Sequence, residues 1–136
     1  MLRACTIWLA CGSLVLALSG CARKTGVYPV EGSVLFKGKP AAGARVLLHP
    51  DAQDAEIQPH GVVESDGTFK LGTYSTADGA PAGHYAVTVH WTENTGRGDQ
   101  EGRSRLPARY MTPQTSGISV NIFKTKKNLL PPFDLD

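Results

Sequence analysis

The segment from Val62 to Trp91 constrains the fold most strongly, because it joins strand-like alternation to turn residues at every break. From Tyr85 onward, core-type and surface-type residues alternate along the chain. One face carries Tyr85, Val87, Val89 and Trp91, and the other carries Ala86, Thr88 and His90. A period of two with β-branched and aromatic residues on one face predicts a strand half-buried against a core.

A second strand signal in this segment surrounds Ser65-Asp66-Gly67. An Asp-Gly pair between two apolar runs predicts a type I′ hairpin turn, which needs positive φ at both central residues. The flanking runs, Val62-Val63 and Phe69–Leu71, are then expected to form the two strands of a hairpin. We expect Phe69 and Tyr85 in the core, because both rings are large and lie on the apolar face of their strands.

Similar alternation predicts further short strands before and after this segment. Their core-facing residues are Val30, Gly32, Val34 and Phe36; Ala44, Val46 and Leu48; Ile118, Val120 and Ile122; and Phe133 and Leu135. Fifteen Gly and nine Pro residues supply the turns between strands. About seven strands at near-regular spacing predict an all-β domain built as a single β-sandwich.

The first twenty residues have the pattern of an export signal. Met1–Gly20 carry one charge, Arg3, and then an apolar run over residues 7–18. A spanning helix needs about 18 or more apolar residues, so this shorter run predicts a secretory signal peptide. The run ends in Leu18-Ser19-Gly20-Cys21, which resembles the lipobox of bacterial lipoproteins. That resemblance implies cleavage between Gly20 and Cys21 and acyl chains such as palmitate on Cys21.

The same resemblance implies an exported protein that is anchored to the membrane of the cell envelope by lipid. Ala22 follows Cys21 where an acidic residue would favour retention, and in lipoproteins of the Gram-negative kind this implies the outer membrane. The chain then divides into a signal peptide (1–20), a lipidated Cys21 with its tether (21–26) and one β-domain (27–136).

Cysteine content and charge exclude several classes of protein. The three cysteines, Cys5, Cys11 and Cys21, all precede the β-domain, so that domain has no thiol for a disulfide or a thiolate metal site. Without residues 1–20, and hence without Arg3, 13 Lys and Arg face 12 Asp and Glu. A nucleic-acid-binding domain would carry a clustered basic excess, so no nucleic-acid partner is expected.

Most of the exported chain resembles the carboxypeptidase regulatory-like family, as found in small bacterial lipoproteins. The segments that carry the resemblance are Gly38–Ala44, Ser65–Phe69, Pro81–Val89, Leu106–Tyr110, Thr115–Ile118 and Phe133–Leu135. The resemblance implies a transthyretin-like, Greek-key β-sandwich. These motifs specify turns and core positions, so they imply a fold rather than an activity.

The histidines and serines do not form a pattern typical of an active site. His84 and His90 are about 20 Å apart along one strand, and His49 and His60 have no carboxylate at ligand spacing beside them. We therefore expect no metal and no cofactor. The serines lie in turn contexts, and no nucleophile motif occurs. The chain ends Phe133–Asp136 and lacks the Tyr-Arg-Gly-Ser signature of hydroxyisourate hydrolases, an enzyme branch of the transthyretin-like fold. The sequence therefore favours a protein that is not an enzyme.

Two functions remain open at this point. The first is a lipid-anchored, non-catalytic domain with an interaction or structural role in the envelope, whose partner is an envelope protein. The alternative is a carbohydrate-binding module at the cell surface, which would need exposed aromatic side chains as platforms for a glycan. The candidates for such ligand contacts are Tyr74, Trp91 and Tyr110, although Trp91 also fits as core at the end of its strand.

Overall fold

The computed structural model describes residues 26–51, 56–93 and 102–136. Cys21, the signal peptide before it and the start of the tether lie outside these ranges. The strands are β1 (Val27–Tyr28), β2 (Val30–Phe36), β3 (Lys39–Pro40), β4 (Arg45–Pro50), β5 (His60–Val62), β6 (Thr68–Lys70), β7 (Ala80–Pro81), β8 (Gly83–His90), β9 (Ser119–Ile122), β10 (Asn128–Leu129) and β11 (Phe133–Leu135). A 3₁₀ turn, η1, spans Ala108–Met111. The predicted all-β sandwich is therefore confirmed.

The strands form two main sheets and one short pair. The first sheet has the order β5-β4-β8-β9, and all its neighbours are antiparallel. The second is built on β2, which pairs antiparallel with β3 and β6 and parallel with β10 and β11. The pair β1–β7 joins the start of the described chain to the strand entry before β8. Four of these strands, β1, β3, β7 and β10, have two residues each and are not predicted from the sequence.

The core lies between the two sheets and contains the residues that the alternation predicts. Phe69 is 1% exposed and Tyr85 is 2% exposed. Phe69 packs over Gly32, its cross-strand partner, where a Cβ atom would lie only 2.5 Å from the ring. The ring of Phe133 stacks on Phe69 with centroids 6.0 Å apart. Glycine on β2 therefore makes room for the largest fully buried side chain of the core.

The outward face of β8 is less exposed than predicted. Thr88 belongs to that face but is completely buried, and its hydroxyl is hydrogen-bonded to Nε2 of His49 at 2.8 Å. Gln58 donates from its amide to Nδ1 of His49 over 3.1 Å, so the imidazole is held between two polar groups. Burial, and then the neighbouring His90, lower the pKa of His49 below its ordinary 6.5. A buried hydroxyl is tolerated here because the histidine satisfies it.

The predicted type I′ hairpin at Asp66-Gly67 is wrong in two respects. Gly67 has a φ of +88°, but Asp66 is not among the residues with positive φ. The turn is instead a three-residue loop, in which the Glu64 carbonyl accepts from the Gly67 amide at 2.9 Å and the Glu64 amide donates to the Thr68 carbonyl at 2.7 Å. The arms also separate, because β5 pairs with β4 and β6 pairs with β2 in the other sheet.

Candidate functional site

The separation of β5 from β6 leaves a groove on the surface of the sandwich. At one end the arms are closed by two backbone bonds between His60 and Gly72, of 3.0 and 2.9 Å. At the other end they are closed by the bond from Glu64 to Thr68. The register between these closures would pair Val62 with Lys70, but each of these residues pairs with its own sheet instead. The groove above them has a volume of about 670 Å³.

The groove has an aromatic wall, an apolar floor and a polar rim. Tyr74, on the loop after β6, forms the wall and exposes 59% of its surface. Val62, on β5, lines the groove and is exposed to 55%. The polar side chains of the groove are those of His60, Glu64, Lys70, Thr73, Ser75 and Thr76. Such a surface presents one ring face together with several hydrogen-bonding groups.

Asp78 fixes the loop that carries Tyr74. Its carboxylate accepts hydrogen bonds from the amides of Thr73 at 2.6 Å, Tyr74 at 3.1 Å and Ser75 at 3.1 Å. Burial alone would raise the pKa of Asp78, but these amide bonds outweigh it and hold the pKa below 3.8. The ionised carboxylate therefore binds three successive amides and fixes the backbone of the loop that carries Tyr74.

Two glycines allow the same loop to close tightly on the domain. A Cβ atom on Gly79, whose φ is +106°, would lie 2.0 Å from the carbonyl oxygen of Tyr28. A Cβ atom on Gly72 would lie 2.4 Å from the carbonyl oxygen of Ser75. Both contacts are with backbone atoms, so neither position accepts a side chain without moving the loop.

Trp91 and Tyr110, the other two predicted ligand contacts, lie at the opposite end of the sandwich from Tyr74. Trp91 follows β8, packs edge-on against Phe36 with centroids 6.0 Å apart, and donates from Nε1 to the Ala42 carbonyl at 3.0 Å. Tyr110 is 5% exposed, and its hydroxyl donates to Asp136 at 2.9 Å. The structure therefore brings Trp91 and Tyr110 to the end where β2 and β11 finish, and Tyr74 lies apart from both in the groove.

The described residues contain no arrangement typical of a catalytic or metal centre. Among them no group of three His, Cys, Asp or Glu side chains could hold a metal ion. The hydroxyl of Thr88 is hydrogen-bonded to the imidazole of His49. Thr88 is fully buried, so no substrate reaches that hydroxyl. The described part of the chain also has no helix long and apolar enough to cross a membrane.

Sequence reasoning identifies Tyr74 but misses the residues that build its surroundings. It assigns Val62 and Lys70 to a closed hairpin, and it gives Asp78 no role in supporting Tyr74. The adjacent Asp78-Gly79 is the one available signal, because Asp in a turn often binds backbone amides of its own loop. Nothing local to Val62 indicates that its strand leaves the hairpin.

Comparison with known proteins assigns no family. No protein-family model matches the chain, and no curated protein matches it. Among solved structures it is similar to the crystal structure of a 9R-lipoxygenase from Cyanothece PCC8801, with 15% identity and a TM-score of 0.45. The match covers 81% of this chain and 16% of the other, so this chain spans about a sixth of that protein's length. At this level the similarity carries no argument about activity.

Proposed function

We propose that this chain is a lipid-anchored, non-catalytic binding domain of the cell envelope, of the carboxypeptidase regulatory-like family that it resembles. The observation that carries the binding role is the preformed groove beside Tyr74. Three amide bonds to Asp78 fix the backbone that carries a largely exposed aromatic ring beside an open, polar-rimmed surface. A ring so exposed contributes little to the core, so its rigid support is better explained by contact with a partner.

The anchor is supported by the lipobox-like Leu18-Ser19-Gly20-Cys21. Each buried CH₂ of an acyl chain contributes roughly 0.8 kcal/mol, and stable anchoring takes more than one chain. Two or three acyl chains on Cys21 would therefore hold the domain at the membrane, in the outer membrane if the sorting implied by Ala22 applies.

Replacing Cys21 tests the anchor directly. We expect Cys21→Ser to abolish labelling by radioactive palmitate and to leave the precursor uncleaved, since both steps act on the lipobox cysteine. Cys11→Ser is the matched control, because it also removes a thiol before the domain but should keep label and cleavage. A Cys21→Ser protein that is processed and retained in the membrane like wild type would overturn the anchor.

A glycan is the second candidate ligand, and it is favoured by the exposed ring of Tyr74 beside several hydrogen-bonding groups. We expect wild-type protein to bind envelope glycans on an array and Tyr74→Ala to bind about tenfold more weakly, as loss of one aromatic stacking contact implies. Met111→Ala, which removes an exposed side chain outside the groove, should bind like wild type.

The same two variants separate a glycan from a protein partner. If no glycan binds, a pulldown from detergent-solubilised envelope should recover a protein with wild type and Met111→Ala but not with Tyr74→Ala. Equal recovery by all three proteins would show that the groove is not the binding surface.

A further inference from the structure

The segment Phe123–Leu129, here named the lysine turn, combines exposed apolar side chains with clustered positive charge. Phe123 and Leu129 at its two ends are exposed to 61% and 72%. Between them lie Lys124, Lys126 and Lys127, all exposed. Large apolar side chains with more than half their surface exposed are uncommon in the described part of the chain, where the others are Val62 and Tyr74. The lysine turn is therefore an unusual surface.

The backbone of the lysine turn is fixed by Asn128. Its side chain is 6% exposed, accepts from the Phe123 amide at 2.9 Å and donates to the Phe123 carbonyl at 3.0 Å. The Phe123 carbonyl also accepts from the Thr125 amide at 2.8 Å. The backbone amide and carbonyl of Phe123 are therefore both hydrogen-bonded, and they hold this residue at the surface of the turn.

The positive charge of the lysine turn is only partly neutralised. Lys127 lies 2.9 Å from Glu31, which a second cation, Lys70, approaches to 3.8 Å. The hydrogen bond from Lys127, with a smaller contribution from Lys70, lowers the pKa of Glu31 although partial burial opposes this. Within the described residues, neither Lys124 nor Lys126 forms an ion pair. Both are exposed and follow Phe123 closely along the turn.

The lysine turn lies at the end of the sandwich where the chain arrives from Cys21. The Asn128 amide donates to the carbonyl of Pro29 at 2.8 Å, and Asn128 pairs with Val30 at the start of β2. From Cys21 to Gly26 there are five peptide steps, which span at most roughly 18 Å in an extended chain. If Cys21 is lipidated as proposed above, this tether keeps the lysine turn close to the bilayer.

We propose that the lysine turn docks on an anionic phospholipid surface, as a second membrane contact of the anchored domain. Lys124 and Lys126 pair with headgroup phosphates, and Phe123 enters the interfacial region beside them. Phenylalanine side chains of surface-bound segments bury at the boundary between headgroups and acyl chains, and lysines near an anionic surface are attracted to it. The tether holds the turn at high effective concentration, so a weak contact suffices. This inference rests on the proposed lipid anchor for its geometry.

Docking gives the anchored domain a defined orientation. The groove extends along β5 from His60, near the tethered end, to Glu64, which is bonded to Thr68 and so lies level with Ser33 in the middle of β2. With the lysine turn on the bilayer, the Glu64 end of the groove would point away from the membrane. The groove would then stay open to a partner located across the envelope.

A fluorescent reporter in the lysine turn tests the docking. The acylated Phe123→Trp protein is reconstituted in vesicles of phosphatidylcholine alone or of an equimolar mixture with phosphatidylglycerol, each with bromine-labelled acyl chains. Emission of the acylated wild-type protein, which contains Trp91, is subtracted. We expect a blue shift and quenching of the introduced indole in the anionic vesicles, and loss of both in phosphatidylcholine alone.

Charge reversal identifies the groups responsible. Adding Lys124→Glu and Lys126→Glu should reduce the quenching in anionic vesicles to the level seen in phosphatidylcholine alone. The matched control reverses Lys37 and Lys39 to Glu in the turn at the other end of β2, and should keep the quenching. An unquenched reporter in anionic vesicles, or quenching that survives reversal of Lys124 and Lys126, would overturn the proposal.

Mass spectrometry of the same samples separates this inference from the proposed anchor. A protein without acyl mass on Cys21 contradicts the anchor, and docking loses its geometric basis at the same time. A Phe123→Trp protein that carries the acyl mass and enters vesicles, but whose introduced indole stays in water, retains the anchor and contradicts only the docking.

Discussion

The sandwich contains two short turns with a glycine, of which one joins two strands of the same sheet and the other joins strands of different sheets. At Lys37-Gly38 both residues have positive φ, +51° and +77°, and the turn closes β2 onto β3 within one sheet. At the Ser65–Gly67 loop only the glycine has positive φ, and the two arms enter different sheets. The Asp-Gly pair has the better hairpin signal, yet the Lys-Gly pair forms the paired two-residue hairpin.

The difference is explained by what each arm packs against. β3 has two residues, Lys39 and Pro40, and both are exposed, so no buried side chain draws it away from β2. By contrast, β6 carries Phe69, which packs over Gly32 of its own sheet. β5 contains Gly61, which pairs with Val46 in the other sheet. The same glycine lies under the carbonyl oxygen of Lys70. The residues of a turn act locally, but the sheet in which each flanking strand pairs is decided by the burial of apolar residues.

The largest effect is expected from removing the ring that draws β6 to its sheet. Phe69→Ala should lower the free energy of unfolding by about 3–5 kcal/mol, because it loses transfer energy and leaves a cavity over Gly32. Val62→Ala on the other arm is the control and should cost less than about 0.5 kcal/mol, since Val62 is exposed. Urea denaturation measures both. A cost below about 1 kcal/mol for Phe69→Ala would mean that other contacts separate the arms.

The residues that form the core can be predicted from the sequence, because burial of one face imposes a period of two on each strand. The predicted core positions Val46 and Val87 are confirmed for that reason, and both are completely buried. The parallel pairing of β10 with β2 cannot be predicted, because it joins Asn128 to Val30 across most of the chain with no local signal. Strands that meet through such distant pairing are specified by the whole core.

The candidate site is predictable to a similar, limited degree. Tyr74 is a predicted ligand contact because it is an aromatic residue among turn residues, and the structure exposes it. Its support by Asp78 depends on closure of the loop over Tyr28, and the groove depends on the separation of β5 from β6. Both are consequences of tertiary packing, and the adjacent Asp78-Gly79 is the one signal of it in the neighbouring sequence.

The two glycines should differ in their tolerance of a side chain. Gly38→Val should lower the free energy of unfolding by about 1–2 kcal/mol, which is the cost of a left-handed backbone for a residue with a side chain. No further cost is expected, because no heavy atom lies within 4 Å of a Cβ atom at this position. Gly67→Val should cost more, since its Cβ atom would also lie 3.2 Å from Pro40. Urea denaturation of both variants gives the comparison. Equal costs would show that the Ser65–Gly67 loop is no more tightly packed than the β2–β3 turn.

The smallest effect concerns the carboxylate that the Ser65–Gly67 loop has and the Lys37-Gly38 turn lacks. Oδ1 of Asp66 accepts from the Thr68 hydroxyl at 2.7 Å and from the Thr68 amide at 3.0 Å. The hydroxyl first, and then the amide, lower the pKa of Asp66 below 3.8. A carboxyl whose pKa is lower in the folded state stabilises the fold above its unfolded pKa, and loses this contribution as the pH falls through the folded value.

The stability of wild type should therefore fall more steeply below about pH 4 than that of Asp66→Asn, whose amide side chain does not titrate. Thr68→Val should show an intermediate slope, because it removes the hydroxyl donor and keeps the amide. Urea denaturation at a series of pH values from neutral to acidic measures these slopes. Identical slopes for wild type and Asp66→Asn would mean that the bonds to Thr68 do not favour the ionised carboxylate. In that case the loop would be held by its backbone bonds and by Gly67, as the Lys37-Gly38 turn is held by its own backbone.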